Sequence, residues 1–180
     1  MNERVFSHNA DKLRSAERVE RLNVSRVVDT CLSGGNVKSI LDIGTGSGLF
    51  AEEFNKRGIK VAGVDVNPLM IEEAKKYLPE AEFKVAKAES IPFEDASFDA
   101  VFFGVVLHEV DDFMKTLAEA KRVSRLKAFI LEWQYKTEDF GPPIEHRLKP
   151  EFIKELSEQN GFRNFKEIKL NKLVLYELTK

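Results

Sequence analysis

The feature that most restricts how this chain can fold lies in residues 39–48. There the apolar run Ser39-Ile40-Leu41-Asp42-Ile43 passes without a break into Gly44-Thr45-Gly46-Ser47-Gly48. Leu49, Phe50, Glu52, Glu53 and Phe54 then open a helix that Gly58 closes. Strand, glycine turn and helix in that order begin a β-α unit, and a succession of such units makes a mainly parallel sheet. The succession is present. Lys60 to Val64 reads as the second strand with Asp65 at its end, and Pro68 stands at the first turn of a helix running to Tyr77. Phe83 to Ala86 and Phe98 to Phe103 read as the third and fourth strands. Asp111-Asp112 caps a helix to about Ser124, and Lys127 to Trp133 is the fifth strand.

The two ends are patterned differently. Leu13, Ala16, Leu22, Val27, Val28 and Leu32 are loosely spaced for helices that stop at Gly34-Gly35, which makes residues 1–37 an N-terminal helical cap. Residues 134–149, with Gly141-Pro142-Pro143, form a loop, and Pro150 starts a helix ending at Gly161. Phe165 to Lys169 and Leu173 to Leu178, joined by Asn171-Lys172, read as an antiparallel hairpin. The expected class is therefore α/β, a doubly wound, mostly parallel sheet with an antiparallel C-terminal hairpin and helices on both faces. A chain of 180 residues with 43% hydrophobic content suffices for one such core and is too short for two domains and a linker. One domain is expected, with 38–133 as its core and 134–180 on the substrate side.

Composition narrows the function. Basic and acidic residues number 28 and 30, are interspersed, and leave a net charge of −2, which disfavours nucleic acid as a partner. The lone Cys31 cannot form an internal disulfide, and the start Met1-Asn2-Glu3-Arg4-Val5 lacks the apolar stretch of a signal peptide, so a cytoplasmic protein is expected. The longest apolar run, Ala100 to Leu107, is far short of the roughly 20 residues that span a bilayer. His8, His108 and His146 are too dispersed for a metal motif, and no metal is expected. No feature specifies an oligomeric state.

In open α/β sheets ligands bind at the carboxyl ends of the strands, where 42–48 and Asp65 both fall. Glycine there lets the backbone turn tightly and close on a ligand. A carboxylate about twenty residues further on can accept from both hydroxyls of a ribose. The dinucleotide fingerprint G-x-G-x-x-G fails, because its third glycine would fall at Leu49, and no Gly-Lys-Ser/Thr closes a phosphate loop. The spacing is G-x-G-x-G. A plain strand-to-helix turn is the bland alternative, weakened by the placement of Asp65.

Leu41 to Gly48 resembles motif I of the class I S-adenosylmethionine (SAM)-dependent methyltransferases. Ala88-Glu89-Ser90-Ile91-Pro92-Phe93 and Ser97-Phe98-Asp99-Ala100-Val101 are similar to the third- and fourth-strand segments of the UbiE-like branch, and Leu107-His108-Glu109 falls where that branch often has Leu-His-His. The similarity covers about residues 38–131. It implies a Rossmann-like fold, SAM as cofactor and methyl transfer as the reaction. Gly44, Gly46 and Gly48 would then pack against the methionine and ribose portions, with Thr45 also in the candidate cofactor set. Asp42 would brace the loop and Asp65 hold the ribose. Val66 and Met70 would flank adenine with Ala88 and Glu89 on its other edge, and Gly104 and Val105 complete the candidate cofactor set. One departure stands out: the family commonly has Asp immediately before the Ala-Glu pair, accepting from the adenine amino group, and here that residue is Lys87, which has no acceptor.

For the reaction, the expected acceptor is a small molecule. A hydroxyl or protonated amine acceptor would need a base, for which His108 is the candidate, a structural histidine being the alternative. Tyr135, His146 and Arg147 are candidate substrate contacts, Arg147 either holding a carboxylate bidentately or standing as a solvated loop charge. Trp133 and Phe140 would line a pocket or cover the sheet edge. A non-catalytic SAM-binding domain is the alternative function, and a nucleotide-dependent oxidoreductase is disfavoured by Leu49.

Overall fold

The computed structural model describes residues 13–180. The first twelve residues, with His8 and the beginning of the helical cap, lie outside that range.

The sheet has seven strands in the order β3-β2-β1-β4-β5-β7-β6. They are β1 Ser39–Ile43, β2 Lys60–Asp65, β3 Glu82–Val85, β4 Phe98–Gly104, β5 Ser124–Trp133, β6 Asn164–Leu170 and β7 Leu173–Thr179. β1 pairs in parallel with β2 and β4, β3 with β2, and β4 with β5. β7 runs antiparallel to both β5 and β6, so the C-terminal hairpin is present and its second strand docks beside β5. The strand order reverses between β1 and β4, and this is where a doubly wound sheet opens a crevice.

The helices are α1 Ala16–Leu22, α2 Val24–Leu32, α3 Leu49–Asn55, α4 Pro68–Tyr77, α5 Phe113–Val123 and α6 Pro150–Gln159. Their starts follow local chemistry. The side chains of Ser15, Asn67 and Asp112 accept from the amides of Arg18, Leu69 and Lys115, and Pro68 and Pro150 sit in the first turns of α4 and α6. α1 and α2 are separated by Asn23 at φ 48°, a left-handed residue that ends one helix and opens the next. Where the pattern predicts a helix to about Ser124, α5 stops at Val123 and Ser124 is already in β5, buried completely.

The central strands are buried on both faces, which is why they read as unbroken apolar runs. Successive residues alternate between two cores. Ile40, Ala100, Phe102 and Phe129 pack on the face covered by α2 and α3, with the Phe102 ring 4.8 Å from Phe50 and 5.3 Å from Phe54. Leu41, Val101, Phe103 and Ile130 pack on the face of α5 and α6, against Leu117, Ala120, Ile153 and Leu156. No described helix is long and apolar enough to cross a membrane.

Candidate active site

A cleft of about 1390 Å³ opens over the carboxyl ends of β1, β2, β4 and β5, and its lining draws on 13–22, the central strands and 133–146. Its floor is the glycine turn. The amides of Gly44 and Thr45 donate to Val64 O at 2.8 and 2.9 Å, tying the turn to β2. Gly44 has φ 68°, and a Cβ there would stand 2.4 Å from Val106 Cγ2, so both torsion and space demand glycine. Gly48 is different. It lies outside the cleft lining, and a Cβ on it would meet Ala74 Cβ at 3.1 Å, so it serves the close packing of α3 on α4. That approach accounts for glycine here without a ligand.

Asp42 is 1% exposed and accepts from Thr45 Oγ1 at 2.7 Å, bracing the turn from beneath. Burial pushes its carboxyl up to about 7, with the hydrogen bond from Thr45 working the other way and the charge of Asp65 adding to the rise. Asp65 accepts from the Gly46 amide at 2.8 Å through Oδ2 and from the Asn67 amide at 2.9 Å through Oδ1. It too is held above the ordinary carboxylate range by burial, against those amides. Each oxygen keeps a lone pair for a further donor. Among the described residues Ser47 Oγ is buried without a partner, on a residue that also lines the cleft. A glycine cradle, a two-oxygen acceptor and an orphaned hydroxyl on one wall fit a polar nucleoside with an amino-acid tail.

Val66, Met70 and Ala88 line the same side. Glu89 lines it as well, but its Oε1 accepts from the amides of Asp111 and Asp112 at 2.9 and 3.2 Å, so this carboxylate organises the turn before α5. Lys87 also reaches the cleft, with Nζ 3.4 Å from Asp111 Oδ2.

The opposite wall begins at Gly104 and Val105, the latter at φ 62°, strained for a β-branched residue. The 3-10 turn Leu107–Glu109 follows. His108 is 8% exposed, and its Nδ1 lies 2.9 and 3.0 Å from the two oxygens of Glu132, itself 1% exposed. Burial disfavours the imidazolium, yet the Glu132 carboxylate, aided by Glu109, outweighs it and holds His108 above the usual imidazole value. Burial likewise pushes Glu109 up to about 7, with His108 working against the rise. Glu132 and Glu109 were not singled out from sequence. A lone acid within the apolar run Phe129 to Trp133 is the signal that would have marked Glu132.

His146 lines the cleft; Tyr135 and Arg147 do not. Arg147 is 5% exposed and donates to the carbonyls of Pro142, Gln134 and Phe140 at 2.9, 3.0 and 2.5 Å. It is neither a solvated charge nor a carboxylate clamp: its guanidinium is consumed in holding the 134–147 loop. Tyr135 is 42% exposed, and Lys149 Nζ lies 5.5 Å from its ring. Trp133 both lines the cleft and lies 5.7 Å from the Phe140 ring, tilted by 52°. Arg18 and Arg21, both on α1, reach the cleft and were not predicted.

The methyltransferase domain family matches residues 41–131, half of the chain. A demethylmenaquinone methyltransferase of Thermotoga maritima is 30% identical over 131 residues, covering 69% of this chain and 57% of that protein. A malonyl-[acyl-carrier protein] O-methyltransferase of Hamiltonella defensa is 29% identical over 165 residues, covering 91% and 62%. The chain thus spans less than two thirds of these relatives. A SAM-dependent methyltransferase of Aquifex aeolicus superposes with a TM-score of 0.81 at 25% identity, over 94% of this chain and 96% of that one. The glycine turn, the acid after β2 and these matches together make the chain a member of the methyltransferase domain family, within the UbiE-like branch of the class I SAM-dependent methyltransferases.

Proposed function

We propose that this chain transfers a methyl group from SAM to a small-molecule acceptor bound in the same cleft. One observation carries the reading: a glycine cradle with Asp65 on one wall and His108 on the other share a single cleft at the crossover between β1 and β4. Bound SAM would supply an electrophilic methyl group. Asp65 would hold the ribose hydroxyls, Asp42 and Thr45 keep the turn in shape, and Val66, Met70 and Ala88 flank the base. The walls contributed by 13–22 and 133–146 exclude water and orient the acceptor, which is the main service methyl transfer needs. The cap, core and C-terminal segment act as one unit in this reading, because all three line the cleft. His108 is the base for an acceptor that must lose a proton. The two relatives are named for different acceptors, a quinone and a malonyl-carrier protein, so neither is transferred here. A cytoplasmic setting accords with the buried Cys31, and nucleic acid is not expected given the interspersed charge.

Titration calorimetry with SAM and S-adenosylhomocysteine, and NADH as control, tests the cofactor. Micromolar SAM binding without NADH binding is expected; the reverse pattern would overturn the reading. Release of S-adenosylhomocysteine in an acceptor screen then tests turnover.

A further inference from the structure

β5 carries Phe129-Ile130-Leu131-Glu132-Trp133, an apolar run interrupted by one carboxylate that is 1% exposed. Burying an ionised carboxylate is costly unless its oxygens are occupied. Here they are occupied by one residue. Glu132 Oε1 accepts from the His108 backbone amide at 3.1 Å, and both oxygens lie within 3.0 Å of His108 Nδ1. An ionised carboxylate cannot donate, so Nδ1 carries the hydrogen and, in the neutral ring, Nε2 carries the lone pair. Nε2 is 3.8 Å from Glu109 Oε1, beyond hydrogen-bonding range, and both His108 and Glu109 line the cleft. Among the described residues, the hydrogen bonds of Glu132 all run to His108.

We propose that Glu132 is a positioning residue that presents His108 Nε2 as a proton acceptor to the cleft, and that the methyl acceptor therefore offers a protic nucleophile, a hydroxyl or ammonium group. This rests on the methyl-transfer reading above. The proton step balances within the pair. The acceptor's O–H or N–H bond breaks, its electron pair stays on oxygen or nitrogen, and the proton joins the lone pair of Nε2. The resulting imidazolium faces the Glu132 carboxylate across Nδ1. Other charges bear on the site from each neighbouring element: Glu109 in the same turn favours the imidazolium, Arg147 in the 134–147 loop opposes it, and Asp65 on β2 and Arg18 on α1 act on Glu109. An acceptor with no removable proton would gain nothing from this arrangement.

The test is Glu132→Gln with the His108 ring followed by nitrogen NMR on the whole protein. Glutamine keeps a carbonyl to accept from the backbone amide and Nδ1–H, so the variant removes the charge and leaves the shape. At a pH above its raised titration point, wild-type His108 should show the Nδ1–H tautomer. In Glu132→Gln the proton affinity of His108 should fall roughly tenfold or more, while Glu132→Asp should restore part of it. SAM affinity, measured alongside by calorimetry, should not change. An Nε2–H tautomer in wild type, or an unmoved titration in a folded Glu132→Gln, overturns the proposal. If Glu132→Gln does not fold, the wild-type tautomer and the Glu132→Asp titration decide alone. Failure of SAM to bind wild type would strike the methyl-transfer reading instead, with the tautomer result standing separately.

Discussion

The two walls of the cleft are made of different material. The wall over β1 and β2 is mostly backbone: Gly44, Thr45 and Gly46 turn so tightly that amides and torsions do the shaping, and carboxylates serve as braces. The wall over β4 and β5 is mostly side chain: His108 stands on the turn after β4, Glu132 and Trp133 at the end of β5, and Arg147 binds the loop behind them. A backbone site tolerates few residue types yet serves any acceptor. A side-chain site can be re-specified one residue at a time while the cofactor wall stays constant.

That contrast can be broken in descending order of effect. Gly44→Val should destabilise the fold by about 2 to 5 kcal/mol, from a left-handed backbone and a clash with Val106, read as a lowered denaturant midpoint; a midpoint near wild type would mean the turn has room. Next comes acidity. Asp42, raised to about 7 by burial, keeps its proton in the folded chain after the unfolded chain has lost it. Stability contributed at this position is therefore greatest below pH ~4 and declines as pH rises to about 7, by roughly 4 kcal/mol. Asp42→Asn should flatten unfolding curves measured across that window. His108 adds a decline of the same sign in a higher window: its contribution is full below the unfolded value of ~6.5 and fades through its raised folded value.

On the side-chain wall, Arg147→Ala should cost about 2 to 3 kcal/mol, because three carbonyls lose a charged donor. Faster amide exchange confined to residues 134–147 would show that the loss is local to the loop. Asp65→Ala should weaken SAM binding by about 1.5 to 3 kcal/mol; unchanged affinity would move the ribose elsewhere. Lys87→Asp is the smallest. It supplies an acceptor but stands against Asp111 and Glu89, so affinity should rise by only about 1 kcal/mol, and calorimetry comparing SAM with a purine analogue lacking the 6-amino group would assign the gain.

Much of the backbone wall was readable from residues in a row. Ile40 to Gly48 specifies strand, turn and helix locally, and Asp65 follows at a fixed spacing because β2 pairs with β1 in register. The side-chain wall was not, because its partners meet only through strand order. His108 and Glu132 are 24 positions apart and touch because β4 lies beside β5. His108 was visible as a candidate base, but its orienting carboxylate was not. Arg147 is harder still: its partners are three carbonyls, and backbone acceptors carry no residue-type signal. The helical cap was legible as helical, whereas its division at Asn23 depends on one residue entering the left-handed region.

Val105 holds a torsion that glycine would occupy at no steric cost, while its side chain lies 8% exposed at the edge of the cleft. The same side chain belongs to the apolar core on the α2 and α3 face, so glycine would relieve the backbone only by giving up that packing. The edge of the cleft is thus held by two opposed terms on one residue, and a change there moves the shape of the cleft and the packing beneath it together.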